Sequence, residues 1–562
     1  MVRPLQEGIA LVEGLSGMLH TSRRVARILA VAALSLVSLG AAGCRVNSND
    51  LKRWETTELG PTKLFAVVTH DKFSWELRTE AAESLVRMKP RGGRRVGLQC
   101  SESGEKEVCL QKAMAELSAE ERRTLVSKLL PIFKRELAKQ PTQQQGASQG
   151  EGKVVDDSVP YKDAAFALLT YDKPVLVTDD AQKAELKDLL ISWATAAFDK
   201  RVNMTSQLYG LEQVLRQFGS DGVRPLTALI NADSAYDKMA QLIGELGDPA
   251  TKEAASVKLV EVGKYIEGNE WFQKKKPLIE AQYKANNYNI PADKLDGQVN
   301  QVREEQLVKV FSALKRVGGR AGVDYLLGVV AADKSKPEKR RQAALAAIEG
   351  KVDRTNAGDI DKVLAIAAAE DTPDSVRDLA FQRCSELPRE VVAPKLFGLF
   401  ESKTAQKNWK IRWVAASTIL KMSTGKDVPD FFDKLPKGAA PGFAMSEPLS
   451  YGDLLGKVKD PPGKDVFAKE LSAAGVAQKL TAIGYFYNYG KAADAATVQA
   501  LEGDKTALPK TEDKDAAYQC AVPKEGNPAE KDMKQLATVG RFVKLCVLHP
   551  GQTVTFLPTP SP

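Results

Sequence analysis

Three short segments in the second half of this 562-residue chain overlay on one another: PEKRRQAALAAI, PDSVRDLAFQRC and NWKIRWVAASTIL. Each places an arginine (Arg341, Arg377, Arg412), an alanine three residues later (Ala344, Ala380, Ala415) and an apolar residue four beyond that (Ile348, Cys384, Ile419). Steps of three and four put all of these on one side of an α-helix. The arginines are 36 and 35 residues apart. That period accommodates two helices and their turns. Because one helix pair cannot cover its own apolar face, such units must stack on their neighbours. The fold expected is therefore all-α, an alpha solenoid of antiparallel helix pairs with loop insertions.

Composition agrees with this expectation. Apolar residues recur every three or four positions and aromatics are only 7% of the chain, so few strands, if any, are expected. Lys and Arg exceed Asp and Glu by 80 to 72, a net charge of +8 that is too mild to imply nucleic acid. The three histidines are His20, His70 and His549, which leaves little of the side chain most used for acid/base work and metal binding. No HExxH, CxxC or EF-hand spacing occurs, and STGKD around Lys426 lacks the upstream glycine of a phosphate loop. Cofactors and metals are not expected, nor is an enzyme. An enzyme built on helical repeats, with its site assembled across distant repeats, is the less favoured alternative.

The repeat template recurs more loosely at Arg78, Ala81 and Leu85; at Lys162, Ala165 and Leu169; at Lys252, Ala255 and Leu259; and at Lys479, Ala482 and Phe486. TPDSVRDLA, through Pro373, Val376, Arg377 and Ala380, and LGDPATKEAA, through Asp248 and Pro249, resemble the second helix of a HEAT repeat and the turn before it. The resemblance is good over residues 240 to 425 and fainter elsewhere. It implies a right-handed stack of helix pairs that binds macromolecules along one face.

The N-terminal part carries a different kind of signal. Arg23, Arg24 and Arg27 precede an apolar run from Ile28 to Ala42, the layout of a secretory signal. At 15 residues that run is shorter than the roughly 18 to 20 that span a bilayer. Met1 to Gly17 has no signal character, so translation from Met18 also fits. The run ends in Ala41, Ala42, Gly43 and Cys44, which resembles a bacterial lipobox, with alanine where leucine is usual. The resemblance implies cleavage between Gly43 and Cys44 and lipidation of Cys44, palmitate included. Two or three acyl chains give durable membrane binding where one is marginal. An ordinary secretory signal with an incidental cysteine is the plainer alternative. Arg45 follows the cysteine in place of aspartate, which leans towards the periplasmic face of the outer membrane.

Five cysteines remain in what would be an oxidising compartment. Cys100 with Cys109 and Cys520 with Cys546 are the expected disulfides, leaving Cys384 as a buried thiol. The segment from 265 to 298 is too long for a tight turn and gathers Trp271, Phe272, Tyr283 and Tyr288 beside Lys274, Lys275 and Lys276. It is either a partner-binding or lipid-touching loop, or a long helix pair with its aromatics in the core and its lysines solvated. RMKPRGGRR, with Arg87, Lys89, Arg91, Arg94 and Arg95, is either an anion-attracting patch or a solvated loop.

The expected organisation is a signal peptide over 1–43, a lipidated tether over 44–61 and N-terminal helical repeats over 62–138. A flexible linker over 139–160 precedes central repeats over 161–430. A Pro/Gly-rich loop over 431–466, C-terminal helical repeats over 467–549 and a tail over 550–562 complete it. The function expected is that of a lipid-anchored periplasmic scaffold or assembly factor whose partners are other envelope proteins and the membrane, with no nucleic acid. A structural subunit of an envelope complex is the alternative.

Overall fold

In the computed structural model, arginines of the repeat template reach back across their own helix pair. Arg341 Nε donates to the Val330 carbonyl at 3.3 Å and Arg377 Nη1 to that of Ala367 at 3.1 Å, each acceptor lying in the last turn of the preceding helix. The last carbonyls of a helix have no partner within it, and the helix dipole favours a cation there. The guanidinium meets both needs while its aliphatic stem packs in the core. Ala344, Ala380 and Ala415, together with Ile348, Cys384 and Ile419, are fully buried, so the template marks the inward face of each second helix. Arg78, in one of the looser matches, does the same: its Nε donates to the Val68 carbonyl at 2.8 Å.

The structure describes residues 46–103, 106–144, 153–204, 207–331, 337–369, 371–401, 409–436, 445–509, 518–547 and 554–555. Gly43 and Cys44 lie outside these, as do His20 and His549. The chain divides into two compact units, one running to Trp193 with residues 206–208 and the other comprising 194–205 and everything from Tyr209 on.

The first unit contains α1 (Ser48–Trp54), α2 (Gly60–Thr69), α3 (Trp75–Arg87), α4 (Leu110–Ala115), α5 (Ala119–Leu137), α6 (Val159–Thr170) and most of α7 (Asp180–Ala196). Helix α3 packs on α2, α5 and α6. Two expectations fail in this unit. The tether is folded, because Asn47 and Asp50 form a capping box that starts α1 and Leu51 is buried. The linker's two ends pair as antiparallel strands β3 (Thr142–Gln144) and β4 (Lys153–Val155), so their backbone groups are satisfied. A smaller hairpin, β1 (Ser101–Ser103) with β2 (Lys106–Val108), precedes α4.

The second unit contains α8 (Leu211–Val223), α9 (Tyr236–Leu246), α10 (Pro249–Glu267), α11 (Asn269–Ala285), α12 (Ala292–Val317), α13 (Arg320–Ala331), α14 (Glu338–Ala347), α15 (Ala357–Ala368), α16 (Asp374–Cys384), α17 (Arg389–Gly398), α18 (Trp409–Lys421), α19 (Val428–Lys434), α20 (Ser446–Leu455), α21 (Lys464–Glu470) and α22 (Val476–Tyr489). Two rows result. Helices α12, α14, α16, α18, α20 and α22 pack each on the next, and α13, α15 and α17 form a second row against them. Each helix pair is therefore covered by its neighbours, the arrangement of an α solenoid and of HEAT-like repeats.

The row continues through the region expected to be a Pro/Gly-rich loop, since the end of α19, all of α20 and the start of α21 fall inside it. Arg412 of α18 makes its ion pair forward, to Glu447 of α20, with both side chains fully buried, and the Tyr451 hydroxyl donates to the same carboxylate at 2.6 Å.

The C-terminal part departs from the helical expectation. Strands β5 (Tyr518–Lys524) and β6 (Asn527–Leu536) form an antiparallel hairpin, and β7 (Val554–Thr555) pairs on the other side of β5. Tyr518 and Cys520 point inward two residues apart, the period of a strand. The turn between the strands uses Gly526 at φ 87°, a conformation open to glycine.

Candidate binding surface

The segment that gathers Trp271, Phe272 and Lys274 to Lys276 is mainly helical, with a short connection over 286–291 that holds Tyr288. It forms α11 and the start of α12, two antiparallel helices that pack on each other. Trp271 is fully buried and so cannot serve as an exposed anchor. It and the half-buried Phe272 form a floor for Arg303 of α12, whose guanidinium carbon lies 5.8 Å from one ring centroid and 5.0 Å from the other. Burial, and the positive charge of Arg340 beside it, hold the Arg303 guanidinium below its ordinary proton affinity. The rings' negative faces offset that penalty.

The three lysines are paired. Lys274 and Lys275 contact the Asp233 carboxylate at 3.0 and 3.3 Å, and Lys276 contacts Asp296 at 2.6 Å. The hydrogen bond from Lys274 is the main reason the Asp233 carboxyl sits below its usual value. These exposed pairs fix the orientation of α11 more than they stabilise it.

Exposure instead falls on residues farther along the pair. Leu278 and Tyr288 are each 51% exposed. Tyr283 holds Tyr288 in place, with ring centroids 5.6 Å apart, while its hydroxyl donates to Gln298 at 3.2 Å. Most of residues 281–298 are exposed, with Leu295 buried, so the far half of the pair forms a largely solvated arm. The sequence places all four aromatics in one segment; which of them is buried and which faces water depends on packing against the neighbouring helices, which no local pattern fixes.

The other nominated residues are distributed as follows. Cys100 is bonded to Cys109 and Cys520 to Cys546, with Cα separations of 4.6 and 6.0 Å. Cys384 is fully buried, and burial pushes its thiol up to about 12. The basic cluster is neither a free patch nor a solvated loop. Arg87 pairs with Glu55 at 2.7 Å, Arg91 donates to the carbonyls of Thr57 and Glu55, Arg94 to that of Cys100, and Arg95 pairs with the buried Asp163 at 3.4 Å. These arginines tie the segment between α3 and α4 to the rest of its unit. Only Lys89 of the five is without such a role.

Among the described residues, no group of three or more His, Cys, Asp and Glu could hold a metal, and no helix is long and apolar enough to cross a membrane.

No family model matches the sequence, and no curated protein matches it significantly. Similar structures include a homology model of the full-length AP-3 complex in an intermediate open conformation, at 12% identity over 80% of this chain and 81% of that one, TM-score 0.29. The karyopherin Kap121p is similar at 13% identity over 86% of this chain and 46% of its own, TM-score 0.28. Importin beta is similar at 11% identity over 86% and 70%, TM-score 0.22. At likenesses this remote, the fold rests on the stacked helix rows themselves.

Proposed function

We propose that this chain is a lipid-anchored scaffold of a bacterial cell envelope, held by acyl chains on Cys44 and binding other envelope proteins through its helical repeats. The observation that carries the binding part is the α11–α12 arm. It leaves Leu278 half exposed on α11 and Tyr288 half exposed in the connection to α12, and solvent-exposed aromatic and aliphatic side chains are what partner surfaces use as anchors. The anchor part is supported by the cationic residues, the apolar run and the small residues before Cys44.

Affinity capture from detergent-solubilised membranes tests the binding part, comparing the native chain with the double substitution Leu278→Ser and Tyr288→Ser. A stoichiometric partner recovered by the native chain and lost by the variant supports the proposal, and recovery of none by either overturns it. Labelling with a fatty-acid analogue, with and without Cys44→Ser, tests the anchor. Label that persists in the substituted chain rules that anchor out.

A further inference from the structure

Between α9 and α12 lies an open cleft of about 300 Å³. Its walls carry Tyr236 and Asp237 from α9 and Gln306, Lys309, Ser312 and Arg316 from α12. The last four recur at intervals of three and four residues, so they form one polar stripe along α12. The apolar stripe of the same helix, through Leu307, Val310, Phe311 and Leu314, is buried against its neighbours and fixes the rotation that turns the polar stripe into the cleft. Tyr236 closes the floor. It is buried, its hydroxyl donates to Gln306 Oε1 at 3.3 Å, and burial, helped by Asp237, pushes its own ionisation up to about 12, so it stays a neutral hydrogen-bonding group.

The charges are unevenly placed. Arg316 is positioned by donating to the Asp237 backbone carbonyl at 3.4 Å, which sets Asp237 and Arg316 at one end. Lys309, two turns back along the helix, is exposed, and no carboxylate among the described residues pairs with it. Ser312 stands one turn from Lys309, at the roughly 5 to 6 Å separation of neighbours on a helix surface. A single carboxylate seated there accepts from both Lys309 Nζ and Ser312 Oγ. Gln306 and Arg316, one turn away on either side, are left to meet the backbone of the chain that bears it.

We propose that this cleft binds an acidic side chain of an extended peptide segment, with Lys309 as its ion-pair partner and Asp237 limiting how many negative charges the cleft accepts. The assignment rests on the scaffold reading, for which it supplies a second contact point beside the arm. The cleft is open and its donors are single side chains spaced along a helix. That suits one carboxylate within a chain better than a polyphosphate backbone, which calls for several cations together.

The test uses the purified full-length chain and fluorescence anisotropy of a labelled peptide, Gly-Ser-Glu-Ser-Gly, against the same peptide with Gln in place of Glu. The Glu peptide is expected to bind the more tightly, and Lys309→Ala to weaken it about threefold to tenfold, the range for one charge-assisted contact at a partly enclosed surface. Asp237→Asn is expected to tighten it. Equal binding of the two peptides, no measurable binding of the Glu peptide, or undiminished binding by Lys309→Ala overturns the assignment. So does equal competition by a single-stranded oligonucleotide of matched charge. Lys309 is exposed, so its replacement should leave the melting curve unchanged. Capture of a partner that the Leu278 and Tyr288 substitutions abolish, together with failure of the peptide, overturns the cleft alone and leaves the scaffold standing.

Discussion

Gly452 and Gly484 meet backbone to backbone where α20 crosses α22. A Cβ on Gly484 would lie 2.2 Å from the Leu449 carbonyl oxygen, and one on Gly452 would lie 2.2 Å from the Tyr485 nitrogen. No rotamer relieves such a contact, because both partners are main chain. Gly484→Ala should therefore cost about 1 to 3 kcal/mol in urea unfolding, in the range for overpacking a close contact. Gly503→Ala, where a Cβ meets nothing within 4 Å, should change stability by no more than about 0.5 kcal/mol.

Arg377 donates to the Ala367 and Thr372 carbonyls at 3.1 and 2.8 Å and is buried. Truncation strands these acceptors, so Arg377→Ala should lower stability by about 1 to 3 kcal/mol. Replacing the exposed Arg354 in the same way should leave the unfolding midpoint where it was. Equal effects at the two positions would show that the turn-back hydrogen bonds do not stabilise the pair.

Breaking the buried Arg412–Glu447 pair leaves one charge without its partner in the core. Arg412→Ala alone should cost about 3 to 5 kcal/mol, whereas the double substitution Arg412→Met and Glu447→Leu should recover most of that loss. Chemical denaturation of the three chains checks it.

Asp248 caps α10: its carboxylate accepts from the Thr251 amide at 2.7 Å and from the Ser220 hydroxyl at 2.6 Å. These bonds, that from Ser220 first, hold its carboxyl well below the usual carboxylate range. A depressed folded-state value stabilises above the unfolded one, near pH 3.8, and the contribution is lost as pH falls below it. The melting-temperature advantage of the native chain over Asp248→Asn should accordingly shrink as pH falls through that region. An advantage independent of pH would assign the effect to hydrogen-bond geometry alone.

Cys384 should resist alkylation in the folded chain and react on unfolding, since it is fully buried and its thiol is raised. Non-reducing peptide mapping should recover Cys100 with Cys109 and Cys520 with Cys546.

The helical class and its repeat were readable in the sequence because the information is local. Arg341, Ala344 and Ile348 sit on one helix face by spacing alone, and the same spacing at Arg377 and Arg412 gives the period. Arg78 shows how far this reaches, since a loose match adopted the same hydrogen bond. The turn signal Glu525–Gly526 and the two-residue alternation of Tyr518 and Cys520 were also there to find, but the helical context outweighed them.

The exposed features were a different matter. Trp271 and Tyr288 are equally aromatic and lie in the same segment, and only packing decides that one is core and the other faces water. The arginines of RMKPRGGRR read as a charged stretch, but their partners Glu55 and Asp163 are distant in sequence. Lys309, Ser312 and Arg316 look like any solvated helix face until α9 is laid beside them. Sequence fixes which residues share a face of one helix. What that face meets depends on the rotation and stacking of separate helices, set by burial of apolar surface summed over the whole unit.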